Sequence, residues 1–252
     1  MEFITGNQFK NNSNYFLDEF GYGMVKPIKF GETIKFFVKT DFIDLFFEKY
    51  RPKSKFILIT HNSDYHINKN HIKYLDDKLL VKWYAQNVDL IHPKISSIPI
   101  GIANEKWVHG NTEILNKIIL EDNEKTNLVY SNFSIHTNFI ERTHCLNEIT
   151  KLGIVMSENK DFETYLKELS KSYFVISPNG NGVDCHKTWE SLYLKSIPIV
   201  TNSINVGYYK HLPILIINDW SDLKNIKLNE ELYHKIWNDF KIKKINIKNF
   251  LK

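Results

Sequence analysis

Short apolar runs alternate with longer amphipathic stretches along most of the chain. Residues 35–39 and 55–60 (KFILIT) are rich in β-branched and aromatic side chains and predict strands. Between them, residues 41–50 predict a helix that Asp41 can cap. Residues 79–84 and 95–102 (ISSIPIGI) predict two more strands, and 111–120 a helix. The second half keeps the same rhythm. Strand 127–133 precedes a helix over 138–152 with Ile140, Leu146, Ile149 and Leu152 on one face. Gly153 stops that helix, and 154–156 predicts a short strand. Helix 162–172, strand 173–177, helix 186–195 and strands 197–201 and 213–217 follow, and 229–252 predicts a helical tail. Strand–helix alternation of this kind predicts parallel sheets with right-handed crossovers.

The polar stretch 120–126 (LEDNEKT) interrupts the series. It predicts an α/β chain of two Rossmann-like lobes, residues 1–124 and 125–228, with 229–252 as a tail that packs back on the first lobe. Paired lobes of this type place a ligand in a cleft at the carboxyl ends of their strands.

Composition narrows the function. A hydrophobic content of 42% over 252 residues supports a buried core and argues against disorder. The net charge is +4 with both signs interspersed, so no concentrated basic face marks a nucleic-acid partner. The single basic run, 241–252 (KIKKINIKNFLK), reads equally as a solvated amphipathic tail. Cys145 and Cys185 form no Cys-x-x-Cys pair, which excludes a zinc knuckle and argues against a disulfide framework. The amino terminus lacks a signal-peptide pattern, and no apolar run approaches the roughly 18 residues of a membrane span. The expected location is therefore a reducing cytosol, without an integral membrane segment. Only Arg51 and Arg142 among the 33 basic side chains are arginines, so each is a candidate for a role that needs the planar fork.

The chemistry concentrates in 173–200, a buried strand, a Gly/Asn-rich loop, a helix and a second buried strand. The loop residues Ser177, Pro178, Asn179, Gly180, Asn181, Gly182 and Asp184 lead to a helix that opens with His186 and Lys187. Gly180 and Gly182 permit close backbone approach and positive φ. Open N–H groups at the helix start, the helix dipole and the Lys187 charge all favour an anion, and a diphosphate suits them better than a neutral ligand. Glu190 shares the helix face of Lys187, one turn further in, where a carboxylate accepts the hydroxyl hydrogens of a ribose. An ordinary surface Lys–Glu pair is the alternative. Neither G-x-x-x-x-G-K-[ST] nor G-x-G-x-x-G is present, which argues against an ordinary ATPase or dehydrogenase.

The run SPNGNGVDCHKTWESLYLKSIPIV at 177–200 resembles the donor-binding signature of exostosin-like glycosyltransferases, including those of large DNA viruses. It is more distantly similar to the α-1,3-fucosyltransferase pattern of Lys187, Trp189 and the strand Ile197-Pro198-Ile199. Weaker similarity runs over residues 59–218. The resemblance implies a GT-B fold, two Rossmann-like domains facing a central cleft, with the donor on the second and the acceptor on the first. It implies a UDP- or GDP-sugar donor, a glycan or glycoprotein acceptor, no required metal or other cofactor, and a host-cytoplasmic location if the chain is viral. It also implies that the crossover after strand 127–133, with Asn132, Ser134 and Arg142, faces the donor phosphates. Arg142 paired with Glu141 or Glu148 on a helix surface is the alternative.

An inverting transfer needs a base for the acceptor hydroxyl. Residues 60–66 (THNSDYH) follow a predicted strand, where polar side chains point toward a ligand. Asp64 is the first candidate and His61 the second, with Asn62 and Tyr65 as acceptor contacts. Capping of the next element by 62–64 is the alternative. Trp107 is a candidate for stacking on an acceptor sugar, while Trp83 reads as core. The spacing of His61, His66 and His71 fits neither a helix face nor a strand face, so no metal site is expected there. Two other functions remain open on the same residues, a nucleotide-sugar epimerase or phosphorylase and a non-catalytic nucleotide- or glycan-binding module.

Overall fold

The computed structural model describes residues 2–251 and divides into two compact units. The first unit holds residues 4–100 and the segment from Asn246 onward, and the second holds residues 101–245 with Phe3.

The first unit opens with α1 (Gly6–Asn11), capped by the Thr5 hydroxyl, which accepts from the Gln8 N–H at 3.1 Å. A hairpin of β1 (Tyr15–Asp18) and β2 (Gly21–Met24) follows. Its turn is made by Asp18, whose carboxylate accepts from the Phe20 N–H, and by Gly21 at φ +98°. Next come β3 (Ile34–Lys39), a helical run from Thr40 to Tyr50 containing α2 (Ile43–Leu45), and β4 (Phe56–His61). The unit continues through α3 (Ile72–Leu75), β5 (Leu80–Ala85) and β6 (Ile95–Ser97). These strands form one sheet in the order β2-β1-β3-β4-β5-β6. All neighbours are parallel except β1 and β2, so this sheet is mixed rather than wholly parallel. The run 95–102 yields only three strand residues, because Pro99 has no N–H to donate and Gly101 turns the chain at φ +68°. Phe36, Phe46 and Phe56 pack ring to ring in the core. Trp83 is fully buried and donates to the Thr60 hydroxyl at 2.9 Å, as its core reading expects.

The second unit comprises α4 (Thr112–Glu121), β7 (Asn127–Ser131), α5 (Phe139–Lys151), α6 (Phe162–Ser170) and β8 (Ser172–Ile176). It continues with α7 (His186–Tyr193), β9 (Ile197–Thr201), α8 (Ile204–Gly207), β10 (Leu215–Ile217) and α9 (Glu230–Trp237). Its sheet is parallel throughout, in the monotonic order β10-β9-β8-β7. One face carries Phe174, Ile176, Ile197, Ile199 and Ile217, packed against Cys145 and Ile149 of α5 and Tyr233 of α9. The alternate positions Val175 and Val200 leave the other face to α6 and α7, which contact β8 and β9.

Three sequence expectations change. The division falls at Gly101 rather than at residue 124, because α4 buries Leu115 and Ile118 and packs against α6. Residues 154–156 form no strand. There the Ile154 N–H closes the end of α5 on Ile149, Gly153 sits at φ +74°, and a single bond joins the Ser157 N–H to the Ser131 carbonyl. The tail is not one helix, since Asn238 and Asp239 adopt left-handed φ values of +35° and +55° and end α9. Residues from Asn246 onward, including α10 (Ile247–Phe250), belong to the first unit.

Candidate functional site

The densest polar construction lies in the second unit, where the carboxyl ends of β7, β8 and β9 release three loops. Asn138 organises the first two. Its side-chain oxygen caps α5 through the Glu141 N–H, and its amide donates to the Gly180 carbonyl at 3.1 Å. Glu141 then grips Asn179, accepting from its backbone N–H at 3.1 Å and its side-chain amide at 2.9 Å. The same carboxylate accepts from the Thr201 hydroxyl beyond β9 at 3.2 Å. Glu141 therefore partners the glycine loop and not Arg142.

Arg142 points into that loop. Its guanidinium donates to the carbonyls of Asn179 at 2.8 Å, Ser134 at 2.7 Å and Pro178 at 3.4 Å. A Cβ on Gly180 would lie 3.1 Å from the Arg142 Nη2 atom, a tight approach that the glycine avoids. Neither Gly180 nor Gly182 takes the positive φ that the sequence suggests; the loop is pinned by its partners instead. The Gly180 N–H bonds the Gly182 carbonyl at 3.1 Å, and Asn181 is exposed at the tip.

The loop joins α7 through buried contacts. The Ser177 and Thr188 hydroxyls share a bond of 3.0 Å, and Asp184 accepts from the Trp189 indole at 2.9 Å. Asp184 thus anchors the helix to the loop. Cys185 occupies the cap position of α7 and supplies no side-chain acceptor, while its thiol donates to the Pro178 carbonyl and burial pushes its pKa up to about 11. α4, α5, α6 and α9 are all capped by Asn or Asp side chains. α7 has no side-chain cap; its Thr188 N–H bonds the Cys185 carbonyl at 3.0 Å, and its positive dipole end favours an anion.

Lys187 extends from that first turn to the Asn132 carbonyl, with its ammonium 5.3 Å from the Tyr165 ring centre. The Asn132 amide is fixed on the Glu158 carbonyl at 2.7 Å. Desolvation, with repulsion from Arg142, lowers the Lys187 pKa to about 8, against the pull of Glu190. Among the described residues neither Lys187 nor Arg142 forms an ion pair with a carboxylate. Glu190 is 4% exposed, accepts from the Tyr165 hydroxyl at 2.6 Å, and has its pKa raised by burial. Tyr165, on α6, went unnoticed in the sequence because it lies 25 positions from Glu190.

His186 donates from Nδ1 to the Gly101 carbonyl at 2.8 Å and lies 6.2 Å, ring to ring, from His109. His109 stacks in turn on Trp107, which is 54% exposed. Trp107 therefore belongs to the unit of Lys187 and Glu190, not to the first unit where the sequence places it.

In the first unit, His61 ends β4 and is only 2% exposed. Its Nε2–H donates to the Pro99 carbonyl at 3.0 Å, and Nδ1 accepts from the Asn62 N–H at 2.7 Å. A Cβ on Gly6 would meet that same Nδ1 at 2.7 Å, so α1 covers the ring. Asn62 adopts φ +60° and donates its N–H to the Gln86 side chain, while Asp64 and Tyr65 are exposed. The capping alternative for 62–64 does not apply, because Asn68 caps the next helical turn.

Among the described residues, no group of three or more His, Cys, Asp or Glu side chains converges to hold a metal ion, and no helix is long and apolar enough to cross a membrane. Neither the protein-family models nor the curated proteins compared with this chain match it.

Proposed function

We propose that the second unit binds a nucleoside diphosphate at the carboxyl edge of its sheet, and that the chain is a glycosyltransferase of the GT-B type using a UDP- or GDP-sugar. One observation carries this reading. Two cations, Arg142 and Lys187, are held near each other by carbonyls, and among the described residues neither forms an ion pair with a carboxylate. Neighbouring cations in a partly desolvated site repel each other, and an anion between them offsets both that repulsion and the cost of desolvation. The start of α7, which no side chain caps, adds the positive end of its dipole, and Glu190 stands one turn further along for a ribose.

In the proposed reaction, the acceptor oxygen forms a bond to the anomeric carbon as the bond from that carbon to the β-phosphate oxygen breaks. The electron pair stays on the departing diphosphate. Arg142, Lys187 and the positive end of the α7 dipole stabilise that growing charge more than they stabilise the intact donor, so they lower the barrier. Asp64, exposed beyond β4, takes the proton of the acceptor hydroxyl on a glycan or glycoprotein, and the anomeric centre inverts. Both positive charges come from the protein, and the proposal requires no metal.

The test is a transfer assay with radiolabelled UDP- and GDP-sugars over a panel of glycan acceptors. Nucleoside diphosphate and labelled glycoside should appear together, in equal amounts, only when acceptor is present. Lys187→Ala should lower transfer at least about 100-fold, since it removes a charged contact on the leaving group. Diphosphate release without glycoside, or full transfer by Lys187→Ala, overturns the reading.

A further inference from the structure

The loop before α4 carries an aromatic pair that the grip on a diphosphate does not use. Trp107 is 54% exposed and stacks beside His109, with ring centres 6.1 Å apart and planes inclined by 17°. His109 lies 6.2 Å, ring to ring, from His186 in the first turn of α7. It also stands close enough to Glu190 for each to act on the charge of the other. The three rings thus form a series that begins beside Glu190 and reaches solvent at Trp107. The backbone of this loop is fixed. The Trp107 N–H donates to the Asn104 carbonyl at 3.0 Å, and the Trp107 carbonyl accepts from the Gly110 N–H at 2.9 Å. A Cβ on buried Gly110 would meet the Asn104 carbonyl oxygen at 2.2 Å, so the turn closes only with glycine. Asn111 then caps α4, accepting from the Glu113 N–H at 3.0 Å and the Ile114 N–H at 3.2 Å. A wide aromatic face held in water on a fixed loop favours a flat ligand that covers it. The Lys106 ammonium, 5.5 Å from the Trp107 ring centre, rides on a long exposed stem that such a ligand can displace.

We propose that Trp107 and His109 form a shelf on which the base of the nucleotide stacks. This rests on the nucleotide reading above and deepens it. With the diphosphate at Arg142 and Lys187 and the ribose at Glu190, the base that the ribose carries falls to His109 and Trp107. All of these residues belong to one unit. A shelf meets the flat face of a base and not its edge, so it takes a purine and a pyrimidine alike. The stack adds to the grip on the diphosphate and does not replace it. An acceptor sugar on Trp107 is the competing occupant.

The experiment measures binding of GDP, UDP and inorganic pyrophosphate by calorimetry, for wild-type protein, Trp107→Ala and Trp107→Phe. Trp107→Ala should weaken GDP and UDP about tenfold, the worth of one base–aromatic stack, and leave pyrophosphate unchanged. Trp107→Phe keeps a ring and should retain most of the affinity. GDP should quench the tryptophan fluorescence of wild-type protein, and that quench should vanish in Trp107→Phe. GDP and UDP affinities untouched by Trp107→Ala overturn the inference, as does an equal loss for pyrophosphate, which would mark general damage to the site. A raised KM for the acceptor with GDP affinity intact also overturns it and gives Trp107 to the acceptor sugar. Each of these results leaves wild-type nucleotide binding standing. Wild-type protein that binds none of the three ligands overturns the site reading as well.

Discussion

Lys187 combines two demands that seldom meet in one side chain. It emerges at the start of a helix that no side chain caps, where the dipole already favours negative charge. Desolvation lowers its pKa to about 8, with a smaller contribution from Arg142 and against the pull of Glu190. The sign of the resulting pH dependence follows. In the proposed site it is the ammonium, not the neutral amine, that grips the diphosphate, so affinity should hold below pH 8 and fall as pH rises through about 8. A bound anion pulls the Lys187 pKa back up, so binding above that point should take up a proton. Calorimetry in two buffers of different ionisation enthalpy checks both effects. Affinity unchanged between pH 7 and pH 9 would show that Lys187 does not contact the anion. Lys187 and Glu190 were legible as a pair in the sequence, because helical spacing alone puts them on one face. The Glu141 grip on Asn179 and the Tyr165 bond to Glu190 were not, because each spans 25 or more positions and depends on which strands are neighbours. The setting of His61 was not legible either, since its burial beside α1 and its bond to the Pro99 carbonyl come from the fold and not from its place at a strand end.

At the scale of elements, Asn138 links the order of a helix to the order of a loop. Its oxygen caps α5 and its amide holds the Gly180 carbonyl. Asn138→Ala should lower stability by about 1 kcal/mol, the typical worth of a cap, and weaken nucleotide binding by loosening the glycine loop. Asn138→Asp keeps the capping oxygen but loses the donor. It should recover most of the stability in urea denaturation and little of the affinity. Recovery of both by Asp would mean that the bond to Gly180 does not matter. Long strands and helices were legible from apolar periodicity, including β3 to β5, α4 to α7 and β9. The β1–β2 hairpin and α1 were not, since their few apolar positions form no extended pattern. The full length of strand 95–102 and the single tail helix failed where Pro99, Gly101, Asn238 and Asp239 redirect the backbone.

For the whole molecule, the alternation of elements was enough to indicate two α/β units, each with its own core. It did not indicate where one ends, because α4 looks from its sequence like a closing helix of the first unit and packs instead on α6. The consequence for function is that Trp107, His109, His186, Lys187 and Glu190 are all carried by one unit, together with Arg142 and the glycine loop. Recognition of the nucleotide is therefore proposed as a property of that unit alone. Affinity in this account is electrostatic at its centre, with the diphosphate rather than the base or sugar as the group that is gripped. The most direct measurement is the calorimetric affinity of UDP and GDP against that of uridine and guanosine, for wild-type protein and for Lys187→Ala. The account predicts binding of the diphosphates, with at least about tenfold weaker binding of the nucleosides, and collapse of that difference in the variant. Nucleosides that bind as well as their diphosphates, or a difference untouched by loss of Lys187, would contradict it.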